Sequence, residues 1–305
     1  MTQSILEHTR DLVRLGDLDR AGQIAEAEIE RVEDRGSTAE LWQFRFVKAE
    51  ALRGRGRVEE ALMYLESLAG SKIGDIESGA GLKMHRGYLS GCLGRHEPAH
   101  RLLGEAEEMA RQGDLITLVG DVCLSRAFIF FRQKDYAASD LLFHSVLDIA
   151  VQIGGWYYRG HALWGIGKNL MIQEHYVEAM TWLNEALAIF EDVGARSWIA
   201  TVWSEMAVCY LGLGDDARAM ELLCWAEKVD HEAGAVHNYQ VVLANIGNVY
   251  LYRRDHFTAI SYYQRALALA REIKDPVSIK KWTRNINLAY ARIRLAVDQS
   301  NPSIA

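Results

Sequence analysis

Proline is nearly missing: the 305 residues hold only Pro98, Pro276 and Pro302. Proline fixes φ and lacks an N–H, so its scarcity leaves long helices free to run without interruption. Any C-x-x-C pair is missing as well. The four cysteines, Cys92, Cys123, Cys209 and Cys224, are widely spaced. Each lies within an apolar helical pattern, which reads as a buried free thiol in a reducing compartment. No stretch reaches the roughly 20 consecutive apolar residues that a bilayer span requires. The opening MTQSILEHTRDLVRLGD carries a charge every few residues and no apolar run of signal-peptide length. These absences give the expectation of a cytoplasmic protein that does not engage a membrane. An excess of positive charge is also lacking. The formal net charge of −7 argues against non-specific nucleic-acid binding as the main task, although the sum leaves a local basic patch open. What remains is 50% hydrophobic and 25% charged, enough apolar material for a continuous core under a soluble surface.

Internal repetition organises the chain. Three segments align: LWGIGKNLMIQEHYVEAMTWLNEALAIF from Leu163, WSEMAVCYLGLGDDARAMELLCWAEKV from Trp203, and LANIGNVYLYRRDHFTAISYYQRALAL from Leu243. Each reads as a small residue, a large residue three later, a turn, a second small residue, an aromatic or Leu, then Ala. The alanine opening the second helix is Ala179, Ala219 and Ala259, a period of 40. Steps of 40, 40, 38 and 40 back along the chain reach Ser139, Ala99, Ala61 and Ala21. Small residues at one fixed place per helix let two helices approach closely. Leu163, Ile166 and Leu170 fall on one helix face, and turns such as GLGDD and YRRDH separate the helices of a pair. A lone helical pair cannot bury its apolar face, so the pairs must stack.

This pattern resembles the tetratricopeptide repeat, in a long-period form. The small residue of the family's first helix matches Ala49, Gly87, Ala127, Gly167, Ala207 and Gly247. Its aromatic partner matches Phe130, Tyr210 and Tyr250, with Leu52 and Leu170 substituting and Ser90 departing. The second-helix alanines end at Ala106, Ala186, Ala226 and Ala266. The family's commonest period is about 34 residues, so helices here should be longer. The resemblance implies an all-α solenoid, a right-handed superhelix of about seven helix-turn-helix units. Those units span roughly 1–38, 39–76, 77–114, 115–154, 155–194, 195–234 and 235–275. A capping helix at 276–297 follows, with Asp275 as N-cap and Pro276 in its first turn. A flexible tail at 298–305 ends the chain, and the whole of 1–297 forms a single domain.

Two motifs mimic chemistry. HEPAH, residues 96–100, satisfies the H-E-x-x-H pattern of zinc hydrolases. In repeat register, however, Ala99 is the second-helix alanine, and Pro98 suits the first turn of a helix. No third metal ligand is evident in the sequence. GIGKN, ending at Asn169, would need glycine at Ala162 and Ser or Thr at Asn169 to form a phosphate loop. Both read as repeat helices. The expectation is therefore a protein that is not an enzyme and holds no cofactor or metal, with a HEPAH hydrolase as the remote alternative.

In the family resembled, the concave face comes chiefly from the first helix of each unit. The matching positions give Met84, Tyr88, Phe128, Phe131, Trp164, Lys168 and Met171 in the middle units, where aromatic and Met side chains offer large contact area. Burial between units accounts for these side chains equally well, and both readings stand. Asn245 and Asn248 match asparagines that family members use to hold a peptide backbone, since an amide both donates and accepts. The family's clamp for a terminal carboxylate is absent: its slots hold Phe46 with Glu50, Met84 with Tyr88, and Trp164 with Lys168. The final helix carries Lys280, Lys281, Arg284, Arg292 and Arg294, which reads as a solvated cap or a dock for an acidic surface. The resemblance thus implies a scaffold that binds a protein or peptide segment in its groove. A regulatory peptide sensor whose superhelix changes pitch is the alternative. Trp156 and Trp198, at unit entrances, leave self-association open.

Overall fold

The computed structural model describes residues 2–33, 38–233 and 235–300. Among them the chain is all-α, an α-solenoid of helical hairpins closed by one further helix. The pairs are α1 (Thr2–Leu15) with α2 (Leu18–Glu33), α3 (Thr38–Gly54) with α4 (Val58–Ser67), and α5 (Ile76–Cys92) with α6 (His96–Gln112). Next come α7 (Ile116–Gln133) with α8 (Tyr136–Ile153), and α9 (Trp156–Ile172) with α10 (Tyr176–Asp192). The last pairs are α11 (Arg196–Gly212) with α12 (Asp216–Glu232), and α13 (Val236–Tyr252) with α14 (His256–Glu272). The final helix, α15, covers Pro276–Ser300, so it continues past the expected end at 297. Of the expected tail, residues 301–305 lie outside the described residues.

The backbone repeats as regularly as the sequence. Each of the seven hairpin turns holds one left-handed residue: Gly16, Gly56, Gly94, Lys134, Glu174, Gly214 and Arg254. Their spacing matches that of the second-helix small residues, because each lies five positions before one of them. Four turns use the residue without a Cβ; the other three hold an L side chain in a region that disfavours it. The next position caps the second helix where it is aspartate. Asp135, Asp215 and Asp255 accept from the backbone N–H of Ala138, Arg218 and Thr258 at 3.1, 3.0 and 3.1 Å. The expected cap at Asp275 is present, accepting from the N–H of Val277 and Ser278.

Every second-helix small residue, from Ala21 through Ala61, Ala99, Ser139, Ala179 and Ala219 to Ala259, is fully buried. At Gly167 the contact is tight: an added Cβ would lie 2.8 Å from Leu183 Cγ and 3.2 Å from the Ala179 carbonyl oxygen. Packing at that distance leaves room only for hydrogen, which is why the first-helix slot keeps to Gly and Ala.

The chain forms two compact units, Met1–Trp198 and Ile199–Ala305. In the first, the largest apolar cluster joins α5 through α9 around Leu103, Ile129, Phe143 and Tyr158. In the second, Leu223, Val242 and Val249 make one cluster, and Tyr263 with Trp282 of α15 anchor another. The thiols differ from expectation. All four are free, and Cys123 and Cys209 are buried, but Cys92 is half-buried and Cys224 is exposed, on the outward face of α12.

Candidate functional site

Within the first unit, the first helices of the hairpins are covered by neighbours on most sides. A strip of partly exposed side chains remains, and it is polar and aromatic. Glu50 and Arg53 supply it from α3, Tyr88 from α5, Asp121, Phe128 and Phe131 from α7, and Tyr157 and Lys168 from α9. Spacings of three, four and seven keep these residues on one face of each helix. Cations stand over the rings. The Arg53 guanidinium sits 5.4 Å from the Tyr88 ring centre, and Lys168 Nζ lies 5.4 Å from Phe131 and 4.8 Å from Trp164. Such pairs present charge and apolar area together.

Helix α1 belongs to the same interior. The Arg14 guanidinium stands 5.1 Å from the Tyr157 ring, and Arg10 and Arg14 both act on Asp121 across the space. Burial pushes the Asp121 carboxyl up to about 7, and nearby Glu50 adds to the rise. The Tyr158 hydroxyl, donating to Oδ1 at 2.8 Å, opposes it, as do the two arginines. Burial likewise raises the Tyr88 hydroxyl to about 12 and lowers the His161 imidazole to about 4. His161 Nδ1 lies 2.7 Å from the Tyr157 carbonyl oxygen. In the neutral ring Nδ1 must then carry the proton, leaving Nε2 a bare acceptor. The interior therefore combines three arginines and a lysine with two carboxylates and a row of rings.

The structure sorts the nine sequence-derived residues. Met84, Trp164 and Met171 are buried, at 6%, 7% and 4% exposure, and the Met84 sulfur accepts from Ser125 Oγ. Tyr88, Phe128, Phe131 and Lys168 keep exposed surface. Phe128 straddles the divide, its ring 5.2 Å from Phe143 in the core and 5.6 Å from Trp164. In the second unit, Asn245 Nδ2 donates to Ser204 Oγ at 3.0 Å and Asn248 Nδ2 to Asn245 Oδ1 at 3.3 Å. Asn248 Oδ1 accepts from the Tyr263 hydroxyl at 2.7 Å. Both amides are partly exposed, and both are engaged in this chain of bonds.

HEPAH opens α6, with Glu97 exposed in its first turn and Ala99 fully buried. His100 Nε2 lies 3.1 Å from Gln133 Oε1. Among the described residues, no three His, Cys, Asp or Glu side chains come together as metal ligands. No helix among them is long and apolar enough to cross a membrane.

Comparison with known proteins places one repeat in a family and the fold among known structures. A model described as Tetratricopeptide repeat matches residues 242–277. The fold matches solved structures over almost the whole chain. The structure of a Rap protein complexed with Competence and Sporulation Factor is similar at TM-score 0.69 and 17% identity, covering 96% of this chain and 86% of that one. Residues 242–277 thus match a tetratricopeptide repeat, within a fold shared with that solved structure. NprR in complex with its cognate peptide NprX also resembles this chain, at TM-score 0.62 and 14% identity, with 96% and 88% covered. A tetratricopeptide repeat protein from Parabacteroides merdae matches at TM-score 0.54 and 16% identity, with 95% and 98% covered. No curated protein gives a significant sequence match.

The repeat register does not reach part of this interior. Asp121, Tyr157 and His161 lie one or two helical turns before the positions it named. A further step of three or four residues along the same stripe would have reached them. Arg10 and Arg14 carry no such signal, because their place depends on where the first hairpin comes to rest. Trp198 and Trp156 both pack near Phe190 in this unit, their ring centres 5.8 and 6.3 Å from it.

Proposed function

We propose that the protein is a non-catalytic interaction module that captures a peptide or an extended protein segment in the interior of its first unit. The observation that carries this reading is the stacking of Arg53 on Tyr88 and of Lys168 on Phe131 and Trp164 along one partly exposed strip. Cation-capped rings offer an extended chain apolar contact, with charge beside it to fix orientation. Similar folds support it: one solved neighbour is named with a factor and another with a cognate peptide. Met84 and Met171, being core residues, act as support for the strip, and Asn245 and Asn248 are assigned a secondary role in the second unit.

The sensor version of this reading is favoured by one specific contact. Trp198 Nε1 at the start of α11 donates to the Arg14 carbonyl at 2.9 Å, joining residues 184 apart and drawing α1 against the far end of the unit. A ligand that alters this contact changes how the hairpins of the unit curve, and small rotations per repeat sum along a stack.

Selection from a random acetylated decapeptide pool tests the module. The wild-type protein should enrich a defined set of sequences, and Arg53→Ala/Lys168→Ala, with its helicity intact, should lose them. Equal enrichment by both proteins would move binding off the strip, and no enrichment by wild type would end the peptide reading.

A further inference from the structure

A box of aromatic rings stands where α9, α10 and α11 meet in the first unit. His161 is central to it: its ring lies 4.3 Å from Tyr157, 5.6 Å from Phe190, 4.2 Å from Trp198 and 6.5 Å from Trp164. Trp198 covers both α9 rings, lying 5.3 Å from Trp164 as well. Two polar atoms in this box have no hydrogen-bond partner among the described residues, His161 Nε2 and Trp164 Nε1, though their side chains are only 2% and 7% exposed. Buried polar groups almost always find partners, so two orphans three residues apart on one helix call for an explanation.

Their chemistries are complementary. Trp164 Nε1–H can only donate. His161 Nδ1 faces the Tyr157 carbonyl oxygen, so Nε2 can only accept while the ring is neutral. One donor and one acceptor between flat aromatic walls match a planar group carrying both C=O and N–H. A carboxylate has no hydrogen for Nε2, and an ammonium has no acceptor for the indole. Walls from three helices favour the end of a side chain over a continuing main chain.

We propose that this box is an amide subsite, taking the side chain of Asn or Gln from a bound peptide, with Trp198 as its lid. The inference rests on the peptide reading above and names one specificity element within it. In the subsite the ligand C=O accepts from Trp164 Nε1 and its NH2 donates to His161 Nε2. The lid is held from outside the box. Trp198 Nε1 donates to the Arg14 carbonyl, and the α1–α2 turn rests on the neighbouring Ser197. At Gly16, where φ is +92°, an added Cβ would lie 2.5 Å from Ser197 Oγ. The first hairpin thereby keeps the box shut, and a ligand must compete with it.

The test uses the full chain, ¹⁵N-labelled, with the Trp164 indole signal assigned by its loss in Trp164→Phe. Propionamide and propionate are the probes. Propionamide should move the Trp164 indole proton in a saturable way, and propionate should not. His161→Phe, folded by circular dichroism, should abolish the response. Trp198→Phe keeps a ring over the box but loses the tether, and should bind propionamide about fivefold more tightly, as expected when a closed state is disfavoured. No saturable shift in either wild type or Trp198→Phe would overturn the proposal and leave the orphans to an ordered water. Equal shifts with both probes, or full affinity in folded His161→Phe, would overturn it too. If Trp198→Phe fails to fold, the wild-type titration alone decides. The peptide reading fails separately: a pool that enriches nothing, alongside a propionamide shift, removes the groove and keeps the subsite.

Discussion

Asp230 should make this protein less stable as pH rises, and replacing it should remove that dependence. It lies on α12 with no exposed surface, and neither carboxylate oxygen has a hydrogen-bond partner among the described residues. One repeat away in either direction its slot holds Phe190 and Ala270, both fully buried, and further back Ala150 and Ala110. The slot is apolar by construction, and an acid occupies it. Burial alone pushes the carboxyl up to about 7 from its ordinary 3.8. The folded form therefore holds a proton that the unfolded chain releases once pH exceeds about 4. Below that both states are protonated and nothing is lost. Between about 4 and 7 the unfolded chain gains from ionising while the folded one does not, so stability falls by roughly 1.4 kcal/mol per pH unit. Above about 7 both ionise and the full penalty, on the order of 4 kcal/mol, is constant. Asp230→Ala restores the residue found in the same slot of three other repeats. Its stability advantage over wild type should grow by about 2–3 kcal/mol between roughly pH 5 and pH 8. Urea denaturation followed by circular dichroism at both pH values measures this. Asp121 also titrates high, but it is present in both proteins and cancels in the difference. An advantage equal at the two pH values would refute the argument.

Four further outcomes concern the repeat itself, each read by urea denaturation. Gly165→Ala should cost about 1–3 kcal/mol by overpacking, because its new Cβ would fall 2.2 Å from Phe143 Cζ. Gly104→Ala on α6, where nothing lies within 4 Å, should instead gain up to about 1 kcal/mol from helix propensity. Glu174→Gly should stabilise by about 0.5–1 kcal/mol, since this residue holds φ of 65° in a turn where four repeats use glycine. His175→Asp should add about 1 kcal/mol, because His175 provides no side-chain cap at the position where Asp135, Asp215 and Asp255 do.

The fold was legible because one physical requirement recurs at fixed spacing. Close helix approach demands a small residue at Ala179 and its equivalents, and a single chain shows the period without any alignment. Turn and cap chemistry follow the same register, as Asp215 and Gly214 do. The interior was legible only in part. Tyr88, Phe128, Phe131 and Lys168 keep exposed surface, whereas Met84, Trp164 and Met171 are buried. Helical spacing fixes which face a residue is on, but not how deeply the neighbouring hairpin covers it. The contribution of α1 depends on contacts such as Arg14 with Trp198, far apart in the chain and outside the repeat pattern. Asp230 shows the converse: a departure from the repeat is visible in the sequence once the slot is known to be buried.

The claim that the interior of the first unit is the binding surface is best tested by photo-crosslinking. A photoreactive amino acid placed at position Tyr88, in the interior strip, is compared with one at Leu141, on α8 and 73% exposed. A labelled peptide from the selected pool should crosslink at position 88 and not at 141. Crosslinking at 141 with none at 88 would contradict the account and place the partner on the outer helices.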